Sequence, residues 1–451
     1  MTGEGVHKLD ASGGPPAGAV LIRGARILDP RAGIDRPGDL LVRDGQVAEL
    51  GEPGALPAPD DAEVVEAEGL VALPAFVDPH VHLRTPGRED EEDIDSGTRA
   101  AAAGGFCAIL AMPNTDPVVD TAPVLHSLRE RAREEARIPT GFLAAITRGQ
   151  RGEELSEMGE LADEGAVAFT DDGFPVSQAG VLRQALQYQR LAGCVLALHE
   201  EDLSLSRTGV MHEGAVSALL GLAGIPSVSE STAIARDAAI AAYEDGRIHI
   251  QHVSASESVT AIELAKAAGV QITSEVTPHH LCLTDEAVRS LDANFKMNPP
   301  LRSQDDRTAL IEALRSGAID CIATDHAPHA REEKEQPFEI APMGVTGLET
   351  AFAALHTRLV LPGLVDLSTL AERMTAGGTP FGLDPPTLAP GSPADVCLVD
   401  PEAEWEVGEA GYESRSANCA FAGQRLTGRV RMTIAAGVVA YRERSFAIGA
   451  V

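Results

Sequence analysis

Two histidines one residue apart, His80 and His82 in FVDPHVHLRTPG, are followed two positions later by Arg84. Side chains at i and i+2 of an extended strand point to one side. The three could therefore line one face just as an apolar run ends. Paired imidazoles suit a metal ion, and a guanidinium suits an anion. A histidine-rich surface turn would read the same over so short a stretch. The rest of the chain has to decide.

Between residues 70 and 330 an apolar strand, a polar loop and a helical stretch recur. The strand candidates are LVALPAFVDPH, FCAILAMPN, GFLAAIT, AVAFTDD, VLALHEE, IHIQHVS, VQITSEV and DCIATDH. Helical stretches such as DTAPVLHSLRERAREEA and QAGVLRQALQYQRLAG follow them. Continuous apolar strands alternating with helices predict an α/β fold with a parallel sheet, and eight strands close a (β/α)8 TIM-type barrel. What ends each strand is informative: His80 and His82, Asn114, Thr147, Asp172, His199, His252, Thr277 with His279 nearby, and Asp325. Barrel enzymes build their sites from the carboxyl ends of several strands. One polar strand end is ordinary, but a recurrence around one rim points to a shared site.

The flanks have a different texture. VLIRGARILDP and DLLVRDGQVAELG alternate like strands, with Asp44-Gly45 at a hairpin turn, and ADVCLVDP and RVRMTIAAGVVAYRE repeat that pattern late in the chain. The expected organisation is a mobile tail over 1–18, one half of a small β domain over 19–72, the barrel over 73–385, and the second half of the β domain over 386–451.

Composition narrows the partners. The 451 residues carry 36 basic against 68 acidic side chains, a net charge of −32. Neither nucleic acid nor an anionic membrane is an expected partner of so acidic a chain. No apolar run reaches membrane-spanning length and MTGEGVHKLD lacks the apolar middle of a signal peptide. The six cysteines are scattered without a CxxC, which suits buried free thiols in a reducing cytoplasm.

Four imidazoles and two carboxylates suit zinc or a similar divalent ion, and are too many for one tetrahedral metal. Two metals sharing a carboxylate would use them all, and such a centre makes hydroxide at neutral pH and polarises a carbonyl. Amide and phosphoester hydrolysis both fit. Periodicity leaves two choices open: Asp171 or Asp172, which are adjacent, and His249 or His252, which face opposite ways on one strand.

DPHVHLRTPG, AMPNTDP, AFTDDG, EVTPHHL, KMNPPLR and IATDHAPH resemble the motifs of bacterial dihydroorotases of the class that works beside aspartate transcarbamoylase. The flanking β halves fit the composite domain of the wider cyclic amidohydrolase superfamily. The resemblance implies reversible, zinc-dependent cyclisation of N-carbamoyl-L-aspartate to L-dihydroorotate in pyrimidine biosynthesis. It implies His80, His82 and Asp325 on one metal, His199 and His252 on the other, and Asp172 bridging, with one or two zinc ions per chain. Asp325 would also be the catalytic proton carrier. The substrate carboxylate would go to Arg84, Asn114 and His329, with further contacts from His82, Asn298, Met343 and Gly344. Met343 stands where the family pattern has Phe. His249 is assigned a structural role, His279 and His280 a loop-packing role, and His326 is expected to point away from the metals.

Many members of the superfamily bridge their metals with a carboxylated lysine. This chain has only Lys8, Lys266, Lys296 and Lys334, none on the fourth strand. The bridge is therefore expected to be a plain aspartate. Two rival readings share the motifs: another cyclic amidohydrolase such as a hydantoinase or allantoinase, and a catalytically silent scaffold for aspartate transcarbamoylase. A substrate carboxylate is what an Arg84 grip demands, and every expected ligand is present. A homo-oligomer and a complex with aspartate transcarbamoylase are further expectations from the resemblance.

Overall fold

The computed structural model describes residues 8–12 and 18–443. Eight staves form a closed parallel ring: Phe76–Val81, Phe106–Ala111, Thr140–Phe142, a short stave at Phe169, Leu196–Leu198, Arg247–Ile250, Gln271–Val276 and Cys321–Ile322. Phe169 bridges to Ala144 on one side and to Leu196 on the other. Closure comes where Val81 pairs with His326 and the His82 N–H donates to the His326 carbonyl at 2.8 Å. Every pairing between staves is parallel.

Helices cover the ring because their sequences carry one apolar stripe and explicit stop signals. Gln304–Ser316 shows how. Ser303 caps its start by accepting from the Asp306 N–H, Gly317 ends it at φ 86°, and Leu310, Ile311 and Leu314 face inward. On the inside of that layer the Phe76 ring lies 5.7 Å from Phe106 and 5.9 Å from Phe352. Burying rings of this size contributes roughly 1.5–3 kcal/mol each. That packing fixes the strand that carries His80 and leads directly into His82.

The predicted single strand LVALPAFVDPH is two strands. Val71–Pro74 belongs to the outer β sheet and Phe76–Val81 to the barrel, with Ala75 between them. The outer sheet unites both chain ends. Its order is Val438–Arg442, Arg425–Ala435, Val396–Glu406, Val71–Pro74, Val20–Asp29, Ile34–Arg43, Gln46–Gly51, with Glu63–Glu66 also on Val20–Asp29. The join is antiparallel, Val396 opposite Pro74 and Val399 opposite Val71. A core of Val20, Ile22, Ile27, Leu40, Leu398 and Ile434 lies on it. Asp44 and Gly45 make the expected two-residue turn, both at positive φ (52° and 76°), with Arg43 opposite Gln46.

The expected tail needs correcting over residues 8–12. Asp10 exchanges two backbone hydrogen bonds with Thr140, at 2.9 and 2.8 Å, extending the barrel ring at its amino end. Its buried carboxylate accepts from Arg129 Nε at 2.7 Å and from Arg133 Nε at 3.0 Å. Leu9 packs beside Leu110 and Val167. A lone aspartate among Gly, Pro and Ser carries no local pattern that shows this docking. Residues 1–7 and 13–17, and 444–451 at the other end, lie outside the described residues. All six cysteines are buried and free. Among the described residues no helix is long and apolar enough to cross a membrane.

Candidate metal centre and substrate pocket

The strand ends converge. Asp172 lies within ion-pair distance of four histidines: 3.4 Å from His80 Nε2, 3.5 Å from His82 Nε2, and 3.7 Å from both His199 Nδ1 and His252 Nε2. Asp325 stands opposite, 3.1 Å from His82 Nε2 and 3.5 Å from His80 Nε2. Potential ligand atoms of His80, Asp172 and His252 lie within 4.8 Å of one another, as do those of His80, His82 and Asp325. All six residues are buried.

The donor set fits metal ions. His80 Nε2 is buried, faces both carboxylates, and makes no hydrogen bond. His199 Nδ1 and His252 Nε2 face each other at 2.9 Å, so two ring nitrogens are directed at one small region beside Asp172. A buried polar atom without a partner is costly, and a cation between these nitrogens and carboxylates removes that cost.

The far nitrogens of these rings are fixed by neighbours. His80 Nδ1 is 2.7 Å from Glu275 Oε1, and His82 Nδ1 is 2.8 Å from Asn114 Oδ1. Each contact places a proton on Nδ1 and leaves Nε2 for the centre. His199 Nε2 is 3.3 Å from Glu201 Oε2, which also accepts from Asn298 Nδ2 at 3.0 Å. Sequence reasoning missed Glu275 and Glu201. Both sit next to chosen residues, in EVTPHHL and LHEE, but which way a glutamate turns leaves no trace in the pattern.

Charge follows the geometry. Burial works against the Asp325 carboxylate, yet His82 and His80 hold it well below the usual range. For Asp172 burial is likewise overcome, first by His80 and then by His199 and His252. Glu275 is pulled to about 2 against its burial by His80 and His249. Carboxylates and imidazoles alternate through the site, and the imidazoles hold Asp325, Asp172 and Glu275 ionised against their burial.

Asp171 turns away, its carboxylate accepting from the Thr147 hydroxyl and from the Thr147 N–H at 3.0 Å. His249 lies behind the centre, bonded to Thr273 Oγ1 at 2.9 Å and Glu275 Oε2 at 3.0 Å. His280 reaches Thr277 Oγ1 at 2.8 Å and the Pro299 carbonyl at 3.0 Å, so it ties down the loop after Asn298. His279 is buried with Nε2 unpartnered. His326 faces Glu92 at 3.2 Å, outside the ring. The lysines stand elsewhere too: Lys266 Nζ pairs with Asp320 at 2.7 Å, Lys8 Nζ lies 3.5 Å from Cys194 Sγ, and Lys296 and Lys334 reach loop carbonyls.

Beside the centre, Arg84 Nη2 is 3.5 Å from His329 Nε2. Glu91, only 1% exposed, touches both: Arg84 Nε at 3.2 Å and His329 Nδ1 at 3.3 Å. Glu91, His329 and Glu333 form a third group with metal-ligand spacing, but Arg84 and Arg88 already neutralise Glu91. His329 Nε2 donates to the Met343 carbonyl at 2.8 Å. Gly344, at φ 132°, follows; a Cβ there would come within 2.8 Å of His329 Nε2 and of Ala327 Cβ. Only glycine fits this wall. Asn418, from the C-terminal part of the chain, donates to the carbonyls of Ala327 (3.0 Å) and Gly344 (3.2 Å) and accepts from the His329 N–H at 3.2 Å. It too escaped sequence reasoning. Arg84, His252 and Asp325 hold φ of 55°, 34° and 46°. Non-glycine residues in this region are uncommon, and they gather at functional sites.

The dihydro-orotase-like family model matches residues 69–258. A dihydroorotase of Geobacter metallireducens is 47% identical over 424 residues, covering 94% of this chain and 99% of that protein. One from Anaeromyxobacter dehalogenans is 46% identical over 427 residues, covering 94% and 98%. The chain belongs to the dihydroorotase family. Among solved structures, the L-hydantoinase (dihydropyrimidinase) of Arthrobacter aurescens superposes with a TM-score of 0.83 at 24% identity, covering 93% of this chain and 95% of that one. A D-hydantoinase gives 0.81 at 22%, covering 95% and 96%. This chain thus shares the hydantoinase fold, a TIM-type barrel with a β domain from both chain ends.

Proposed function

We propose that this chain is a zinc-dependent dihydroorotase that interconverts N-carbamoyl-L-aspartate and L-dihydroorotate in pyrimidine biosynthesis. The observation that carries the proposal is the position of Asp172: one carboxylate within 3.7 Å of nitrogens from four histidines, with Arg84 and His329 beside the cluster. Asp172, His199 and His252 would hold one ion, and His80, His82 and Asp325 the other, with Asp172 shared. Divalent ions held there would lower the pKa of water and polarise a ring carbonyl.

The chain's own residues do the rest. Arg84 and Asn114 receive the substrate carboxylate through charge-assisted hydrogen bonds, with His329 lining the same place. Asn298 and the backbone at Met343 and Gly344 face the ring or its opened carbamoyl arm. In the hydrolytic direction a C–O bond forms and the ring C–N bond breaks. An Asp325 oxygen takes the proton of the attacking water and delivers it to the departing nitrogen. In closure the same oxygen accepts the proton of the attacking carbamoyl nitrogen and returns it to the departing water. One carboxylate serves both directions because each is the reverse of the other.

A homo-oligomer, association with aspartate transcarbamoylase and a cytoplasmic location complete the proposal, the last supported by the six buried free thiols. The test is a single assay series on purified protein with its metal content measured. Dihydroorotate and carbamoyl aspartate should interconvert while hydantoin and allantoin stay unchanged. Turnover of hydantoin with none of dihydroorotate, at full metal content, overturns the proposal.

A further inference from the structure

Two of the four lysines converge on the loop that ends at Gly344. Lys334 Nζ lies 2.8 Å from the Gly344 carbonyl, 3.0 Å from that of Pro342 and 3.4 Å from that of Lys296. Lys296 Nζ lies 2.7 Å from the Ala341 carbonyl and 3.0 Å from that of Glu339, and stands over the Phe338 ring at 5.5 Å. The Lys296 carbonyl in turn accepts the Gly344 N–H at 2.9 Å. Lys296 is 3% exposed. No carboxylate lies within ion-pair distance of either amine among the described residues. A salt bridge is therefore missing at both, and Lys296 is withdrawn from solvent as well.

What the amines do instead is gather five backbone carbonyls that no strand or helix satisfies. Burial and the nearby Lys296 lower Lys334 to about 7, and in either protonation state N–H donation to these carbonyls is what the side chain supplies. The Lys334 amine and the Lys296 carbonyl take the two sides of Gly344, its C=O and its N–H. The peptide before Gly344 is the one whose Met343 carbonyl receives His329 Nε2.

We infer that Lys296 and Lys334 are positioning residues: their amines fold the 335–344 loop so that the Met343–Gly344 backbone forms the wall against which the substrate ring is held. The role in substrate binding rests on the proposed dihydroorotase reaction, whereas the folding of the loop does not.

Lys334→Met removes the donors and keeps most of the stem, and Lys334→Arg restores donors. Hydrogen–deuterium exchange on the metal-loaded, substrate-free protein reads the loop directly. Exchange over residues 335–346 should quicken about tenfold or more in Lys334→Met, the scale of one lost hydrogen bond, and return towards wild type in Lys334→Arg. In turnover, KM for dihydroorotate should rise about tenfold in Lys334→Met, with kcat changed much less and metal content unaltered. Should Lys334→Met fail to fold, Lys296→Met is read in the same two ways. Unchanged exchange overturns the inference, whatever the reaction proves to be. Faster exchange with unchanged KM overturns the substrate wall. Wild-type protein that ignores dihydroorotate would sink the functional proposal, while the exchange data would still decide the loop.

Discussion

Glu275 Oε1 stands 2.7 Å from His80 Nδ1, and the two residues are 195 positions apart in the chain. The other Glu275 oxygen takes His249 Nε2 at 3.0 Å. One buried carboxylate thereby orients the imidazole of a candidate metal ligand and anchors it across the ring to the staves Gln271–Val276 and Arg247–Ile250. Such partners raise the basicity of a ligand and fix its ring. Glu275→Gln should weaken metal binding by roughly 10–100-fold, measured by chelator competition, with the thermal midpoint followed in parallel. An unchanged metal affinity would reduce Glu275 to a packing role.

Arg84 and His329 reach the same place from opposite ends of the barrel sequence, and Glu91 holds both. Arg84→Met should cost about 2–4 kcal/mol of substrate affinity, roughly two orders of magnitude in KM, because a charge-assisted partner of the carboxylate is lost. Glu91→Gln should give the same effect at about a tenth of the size, since it loosens the grip without removing it. Metal content should be unaltered in both. If Arg84→Met sheds metal and keeps its affinity for dihydroorotate, the arginine is part of the scaffold of the centre.

Asp325 faces His82 and His80 and is kept ionised by them. Asp325→Asn should lower turnover by about two orders of magnitude or more, the scale of a positioned proton carrier. Metal occupancy measured on the same sample separates loss of the proton path from loss of a ligand. Near-normal turnover at full occupancy would remove Asp325 from the reaction.

In the proposed centre Asp172 is the shared carboxylate, and the four lysines all have partners elsewhere. Reconstitution of the metal-free protein should therefore proceed equally well with and without added bicarbonate. Asp172→Ala should lose the ion held by His199 and His252 first, and most activity with it. Reactivation that depends on bicarbonate, or a carboxylated lysine found by mass spectrometry, would show a different bridge.

Much of this site is legible because a parallel barrel places chemistry at the carboxyl ends of its strands. His80, His82, Asp172, His199, His252 and Asp325 each follow an apolar run, so one-dimensional order reports three-dimensional convergence. What stays hidden is non-local. Asn418 braces His329 from 89 residues away, and Asp10 meets Arg129 across 119. Such pairs have no period and no spacing. The break at Ala75 is hidden for another reason: both sheets want the same buried, β-forming residues, so composition does not change where one sheet hands the chain to the next.

The brace from Asn418 gives the protein an order of assembly. During synthesis, all six proposed metal ligands have been made once Asp325 has emerged, while Asn418 and the strands Val396–Glu406 and Arg425–Ala435 are still to come. Until they arrive, Val71–Pro74 has an open edge where Val396–Glu406 will pair. The carbonyls of Ala327 and Gly344 likewise lack their amide donor. A nascent chain can thus gather its metal-binding side chains before it can shape the wall for substrate. On the proposed function, competence to bind the small molecule therefore comes only after Asn418 has been made.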